Sequence, residues 1–181
     1  PDVVAPFNTA VAPGSGSGYQ YIISASGNYE IASLTGSLLI RSNVAAILMV
    51  DNSLNLTGND KIQIESGGTL QLYMKGASAN IGGKGVANAN GSATNFFYWG
   101  LPSNTSLSVS GNGSLTGVIY APQADFTLNG GGNGNNGSED IVGAAVSLTT
   151  RINGNFQFHY DESLARLITG HGFIANSWDE L

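Results

Sequence analysis

Asp125 and Asp140, with Arg151 and Lys84 as cations that could join them, come nearest in this sequence to an acid–base set for cleaving a glycosidic bond. Such chemistry needs two carboxylates held together across a substrate. Asp125 stands in "ADFTLNG" and Asp140 opens "DIVGAAV", so on stacked strands the two would occupy neighbouring rungs, ~4.8 Å apart per step. Twelve acids in a stacked fold create such neighbours by chance, and no "DD" pair occurs, so no catalytic residue is assigned. A second chemistry is cation binding. The segment "GGGNGNNGSED" offers Asn133, Asn135, Glu139 and Asp140 as oxygen ligands, which suits calcium. Its pattern departs from the calcium repeat Gly-Gly-x-Gly-x-Asp, because Asn135 or Asn136 stands where the aspartate belongs. The expectation is no cofactor, with calcium as the one candidate.

Zinc would need at least three ligands, and His159, Asp161, Glu162 and His171 are the set close in sequence. A structural hydrogen bond at a strand-to-helix corner accounts for His159 more simply. In "FFYW", Phe96 to Trp99, aromatic rings could stack on sugars, but a strand turns two of the four inward. Trp99, Asp125 and Arg151 are therefore the candidates for contact with a ligand or a protein partner. Five Asn-x-Ser/Thr sites, at Asn55, Asn90, Asn104, Asn112 and Asn136, are what a chain so rich in these residues contains without selection.

The elements that must position these side chains are strands. Charged residues make up only 10% of the chain and glycine numbers 26, so polar surface must come from Asn, Ser and Thr in ladders and tight turns. Similar units recur: "MVDNSLNLTG" and "YMKGASANIGG" begin 24 residues apart at Met49 and Tyr73, and "VIYAPQADFTLNGG" and "IVGAAVSLTTRING" begin 23 apart at Val118 and Ile141. That period holds two or three short strands with turns, as in one coil of a parallel β-helix. In the third unit Pro122 marks a corner, Phe126 and Leu128 point inward, and Asp125 and Thr127 point outward. Period-two alternation also predicts strands in 19–25, 28–33, 37–42, 60–66, 69–76, 94–100, 106–111 and 155–160. The fold expected is all-β: a right-handed parallel β-helix with a short C-terminal capping α-helix, the hand following from the chirality of parallel crossovers. Residues 1–18 read as an extended linker, 19–160 as the β-helix and 161–181 as the cap and a C-terminal arm. In the cap Asp161 serves as N-cap, Leu164, Leu167 and Ile168 form the apolar face, Gly170 stops the helix, and Trp178 anchors the arm. Segments 82–95 and 129–140 read as projecting loops.

The net charge is −6, and the six scattered cations form no basic stripe, which argues against nucleic acid and anionic lipid as partners. There is no cysteine, and the longest apolar run, "VAAILMV", is far too short to span a bilayer. The opening "PDVVAPFNTAVAPGSGSG" lacks a signal-peptide layout, as expected of a processed piece or of part of a longer exported protein.

The stretch from Gly117 to Arg166 resembles a bacterial domain family of unknown function found in surface or pilus-associated proteins, often behind a pilin-like N-terminal helix. Gly117, Ile119 to Pro122, Ala124, Phe126, Leu128, Gly130, Gly143, Ala144, Phe158 to Glu162 and Leu164 carry the resemblance, together with the ending "SWDEL". It implies a parallel β-helical fold and an extracellular or cell-surface location, and it supplies no activity. "TGHGF" and "RIN" are also similar to motifs of polygalacturonases, but in the reverse order and without that family's paired aspartates. The function expected is a non-catalytic structural or adhesive module of a surface or pilus-like protein, with protein partners or self-association. The alternative is a β-helix that binds or cleaves carbohydrate, using an outward groove near Trp99, Asp125 and Arg151.

Overall fold

Alternating apolar and polar residues, punctuated by glycine and asparagine, fold here into strands too short to be stable singly. The structure is a computed structural model and describes residues 1–110, 114–130, 141–154 and 156–167. In chain order the strands are β1 (Gly14–Gly16), β2 (Tyr19–Ile23), β3 (Gly27–Leu34), β4 (Leu38–Ile40), β5 (Ala45–Leu56), β6 (Ile62–Ile64) and β7 (Thr69–Met74). They continue as β8 (Ser78–Ile81), β9 (Gly85–Asn88), β10 (Phe96–Gly100), β11 (Ser106–Ser110), β12 (Ser114–Gly130), β13 (Ile141–Gly154) and β14 (Phe158–Tyr160). Strand accounts for 62% of the chain, and the architecture is a parallel β-solenoid of about five turns. Among the described residues no helix is long and apolar enough to cross a membrane.

Three parallel ladders run along the solenoid. The first stacks β2, β4, β6, β9, the start of β12, the start of β13, and β14. The second stacks β3, the first half of β5, β7, β10, and the middle of β12 and β13. The third stacks the ends of β3 and β5, β8, β11, and the ends of β12 and β13. Met49 pairs with Tyr73, the 24-residue spacing legible in the sequence. The 23-residue spacing is corrected. Ile141 pairs with Leu115, and Val118 pairs with Ala144, because the corner at Pro122 takes more residues in β12 than its counterpart takes in β13, shifting the register between Ala121 and Asp125.

Inward side chains form columns that cross the rungs. On the second ladder Tyr29, Leu48, Leu72, Tyr98 and Ile119 lie in register and are all buried. Each fully buried aliphatic or aromatic side chain contributes about 1.5–3 kcal/mol, but only against a neighbouring coil, so stability is collective. Beside this column the Phe96 ring crosses the position of Gly117. A Cβ on Gly117 would lie 2.4 Å from Phe96 Cδ1 and 2.8 Å from the Phe96 carbonyl oxygen, so only glycine fits that rung.

Among the described residues one polar side chain enters the core. Asn104 is 0% exposed; its Oδ1 accepts from the Tyr98 hydroxyl at 2.8 Å, and its Nδ2 donates to the Gly76 carbonyl at 3.0 Å. The amide thus ties the turn before β11 to the preceding coil. Other asparagines serve turns as well. Asn90 Oδ1 accepts from the Gly67 N–H at 2.7 Å, and its Nδ2 donates to the Gly68 carbonyl at 3.1 Å.

The ends of the solenoid differ from the sequence reading. Segment 82–95, expected as a projecting loop, contains β9 and a 3₁₀ turn (Ala93–Asn95), and β9 is a rung of the first ladder. Its glycines had masked the short apolar pair that enters the ladder. The expected capping α-helix is replaced by a 3₁₀ helix, Glu162–Leu167. The Leu164 N–H donates to the Asp161 carbonyl at 3.0 Å, a three-residue step, while the Asp161 carboxylate accepts from the N–H groups of Ser163 and Ala93 at 2.9 and 3.2 Å. Asp161 therefore caps the helix while also reaching another coil, and this tight geometry suits a short 3₁₀ element. Leu164 is buried; Ile168, Gly170 and Trp178 lie outside the described residues.

Residues 1–18, expected as a linker, are extended but seated on the solenoid. β1 pairs antiparallel with β2, and Val11 bridges Tyr29 in parallel, with Val11 N–H to Asn28 O and Glu30 N–H to Val11 O both 3.1 Å. At the other end the Tyr120 hydroxyl donates to the Pro1 carbonyl at 2.8 Å, and Gln123 Nε2 donates to Asp2 Oδ1 at 3.0 Å. The segment Pro1–Val11 is thus a strap from the rung of β12 to the rung of β3, about 19 Å along the stack at the usual strand spacing.

Replacing Asn104 by Ala strands the Tyr98 hydroxyl and the Gly76 carbonyl in the core, at about 1–3 kcal/mol for each buried group left unpaired. Thermal denaturation should show a midpoint several degrees below that of the parent. Burial raises the pKa of Tyr98, opposed by its hydrogen bond to Asn104. Because the folded value lies above the unfolded one, stability is full below about pH 10 and falls as the pH rises beyond it. Alkaline titration by tyrosinate absorbance should therefore show one tyrosine ionising only as the circular dichroism is lost.

Candidate functional site

The outward side of the second ladder is unusually apolar. Strand alternation sends Phe96 and Tyr98 into the core and Phe97 and Trp99 outward, where both are half-buried. In register with Trp99 stand Met49 and Tyr73 on one side and Tyr120 and Val146 on the other. The Trp99 ring stacks on Phe97 (centroids 5.7 Å apart, planes at 6°) and on Tyr73 (6.1 Å, 26°), and it tilts against Tyr120 (5.8 Å, 57°). Stacking of this kind favours one fixed ring arrangement over a loose apolar patch.

The strap completes a recess over this column. Pro1, Asp2, Val3 and Val4 face Tyr73, Trp99 and Tyr120 around a space of about 510 Å³, within the size range of small-ligand sites. Val3, Phe7 and Ala10 are the half-buried side chains of the strap, and Val4 is 78% exposed. Trp99 Nε1 is shielded from solvent and has no hydrogen-bond partner, alone in this among the described residues. Burial also pushes the Tyr73 phenol above its ordinary pKa range. The recess therefore combines aromatic walls with the Asp2 carboxylate among its lining groups.

The outward side of the third ladder is polar and uncharged over most of its length. Ser53, Ser78 and Ser106 form one row across the rungs, and Asn55, Asn80 and Ser108 form another. Asn80 Nδ2 donates to Asn55 Oδ1 at 3.0 Å, and the hydroxyls of Ser108 and Ser110 donate to Asn80 Oδ1 at 2.9 and 2.8 Å. With Thr35 these rows line a groove of about 400 Å³ that contains no charged side chain. Farther along the same ladder Asp125, Thr127, Thr149 and Arg151 line a depression of about 390 Å³, and Asp125 Oδ1 accepts from the Thr149 hydroxyl at 2.6 Å.

The three ligand candidates from the sequence are thus divided. Asp125 and Arg151 meet in one depression, while Trp99 stands on another ladder, because β12 turns its corner between Tyr120 and Asp125. The single groove expected near all three is not formed. Lys84 lies in the turn before β9, away from the third ladder, and Asp140 lies outside the described residues. So do the other calcium candidates, Asn133, Asn135 and Glu139, and so does His171. His159 is exposed on β14, and among the described residues no three acidic or histidine side chains converge as metal ligands would. Of the glycosylation sites, Asn104 is a core residue, Asn55 is exposed on a ladder, and Asn112 and Asn136 lie outside the described residues.

Sequence reasoning missed the strap and the Tyr73–Trp99–Tyr120 column. These residues are spaced 26 and 21 apart, so no single period aligns them, and nothing in "PDVVAPFNTA" announces a docking surface. Deleting Pro1–Ala10 should bare the column. In a Trp178→Phe background, which isolates Trp99, the deletion should red-shift the tryptophan emission and increase hydrophobic-dye binding, with the strand signature in circular dichroism retained.

No curated protein and no solved structure matches this chain. One family model, described as Domain of unknown function (DUF7305), matches residues 23–167, from the end of β2 to the end of the 3₁₀ helix. That match covers most of the chain and all three ladders. The chain belongs to the DUF7305 family.

Proposed function

We propose that this chain is a non-catalytic structural and adhesive module of a bacterial cell-surface or pilus-like protein, acting outside the cell through protein partners or copies of itself. The observation that carries this reading is the unbroken inward column from Tyr29 through Leu48, Leu72 and Tyr98 to Ile119. A solenoid whose coils are locked by such columns is a stiff body, which suits a spacer that must present a surface at a fixed distance. Its exterior supports the same reading. Polar outward groups are satisfied by like groups on the next rung, as in Asn55–Asn80 and Asn129–Asn153, so the wall is wettable with few charges.

A second reading is carried by the groove on the third ladder. Hydroxyl and amide groups repeating at rung spacing, without charge, fit a neutral glycan chain lying along the solenoid axis. The Asp125–Arg151 depression would extend such a track toward a charged sugar.

Beads coated with the purified chain, challenged with cells, immobilised matrix proteins and a panel of polysaccharides, test both readings. Retention without release of reducing ends is the expected outcome, and loss of polysaccharide retention on Asn80→Leu would assign it to the third-ladder groove. Steady release of reducing ends from any glycan would overturn the non-catalytic reading.

A further inference from the structure

We infer that the strap Pro1–Val11 is exchangeable between copies of this chain: the strap of one molecule seats on the aromatic column of another, linking copies through a contact that each also makes with itself. The inference rests on the self-association half of the proposed function and names its surface.

Four observations lead to it. Among the described residues the strap has no strand partner between its ends; it is held there by the Val11–Tyr29 bridge, by two hydrogen bonds to Tyr120 and Gln123, and by the burial of Val3, Phe7 and Ala10. It joins the solenoid through Ala12 and Pro13, followed by the β1–β2 hairpin, where Gly16, Ser17 and Gly18 take φ of +144°, +50° and +80°. A released strap bares Tyr73, Trp99 and Tyr120 together, an apolar patch that favours being covered again. The column also runs on past the seat of Pro1 to Val146, which is 49% exposed. An incoming strap therefore meets a longer apolar track than the molecule's own strap covers.

Exchange conserves every strap contact, so the balance between closed and exchanged forms is set by concentration. A tether as short as Ala12–Pro13 gives the resident strap an effective concentration on the order of millimolar. Dilute protein is closed. Copies crowded side by side exchange.

The absence of native cysteine makes a direct test available. Asp2 and Gln123 are in contact only where a strap is seated, with Nε2 to Oδ1 at 3.0 Å. In the full chain carrying D2C and Q123C together, oxidation in dilute solution should close an intrachain disulfide and leave a monomer. Mixing the single variants D2C and Q123C at high concentration should yield the mixed disulfide dimer several-fold above the D2C and K84C mixture, which reports random collision. The yield should rise with concentration. Equal yields in the two mixtures at every concentration, beside complete intrachain closure of the double variant, would make the strap a permanent internal staple and overturn the inference. Failure of the double variant to close at all would overturn it too, because the strap would then have no seat. Retention of cells or glycans by the coated beads depends on neither result, so the two readings fail separately.

Discussion

The parallel backbone ladder, one rung above another in register, is the constraint on which the rest of this molecule depends. Once Met49 is paired with Tyr73 and Tyr73 with Trp99, side-chain alternation decides for every rung what enters the core and what faces water. A slip of one residue in β10 would send Phe97 and Trp99 inward and expel Phe96 and Tyr98. The small volume above Phe96, which only Gly117 satisfies, opposes such a slip. So does the Tyr98–Asn104 hydrogen bond, which such a slip would break. Register here is held by shape and by one buried amide, with hydrophobicity common to all alternatives.

The same stacking divides the exterior into surfaces of different character. Outward positions on the second ladder collect aromatic and aliphatic side chains, and those on the third collect serine, threonine and asparagine. On a repeating scaffold a residue type repeated at one position becomes a stripe, so a modest compositional bias becomes a surface with a direction along the axis. The polar stripe is satisfied within itself by hydrogen bonds between successive rungs. The apolar stripe is covered by the chain's own first residues, and the strap spans from the β12 rung to the β3 rung.

Corners explain why the ligand candidates fell apart. Trp99 and Asp125 both point outward from their strands. Between Tyr120 and Asp125, however, the chain bends at Pro122, and outward on one ladder is a different direction from outward on the next. Asp125 and Arg151 do share a depression, because both lie beyond their corners on the same ladder.

By itself the sequence determined the class of fold and most of the strands, because alternation at period two and the glycine and asparagine turns are local properties. Phe126 and Leu128 inward, Asp125 and Thr127 outward, and the corner at Pro122 were all legible there. Beyond the Met49–Tyr73 pair, tertiary structure decided the register, since rungs spaced 24, 26, 21 and 26 residues apart along one column share no single period. It also decided that "VAN" in β9 is a rung, that the cap is a 3₁₀ helix, and that the first eleven residues lie on an aromatic column. Each of these depends on which surfaces meet, a quantity fixed by packing between segments distant in the chain and carried by no segment alone.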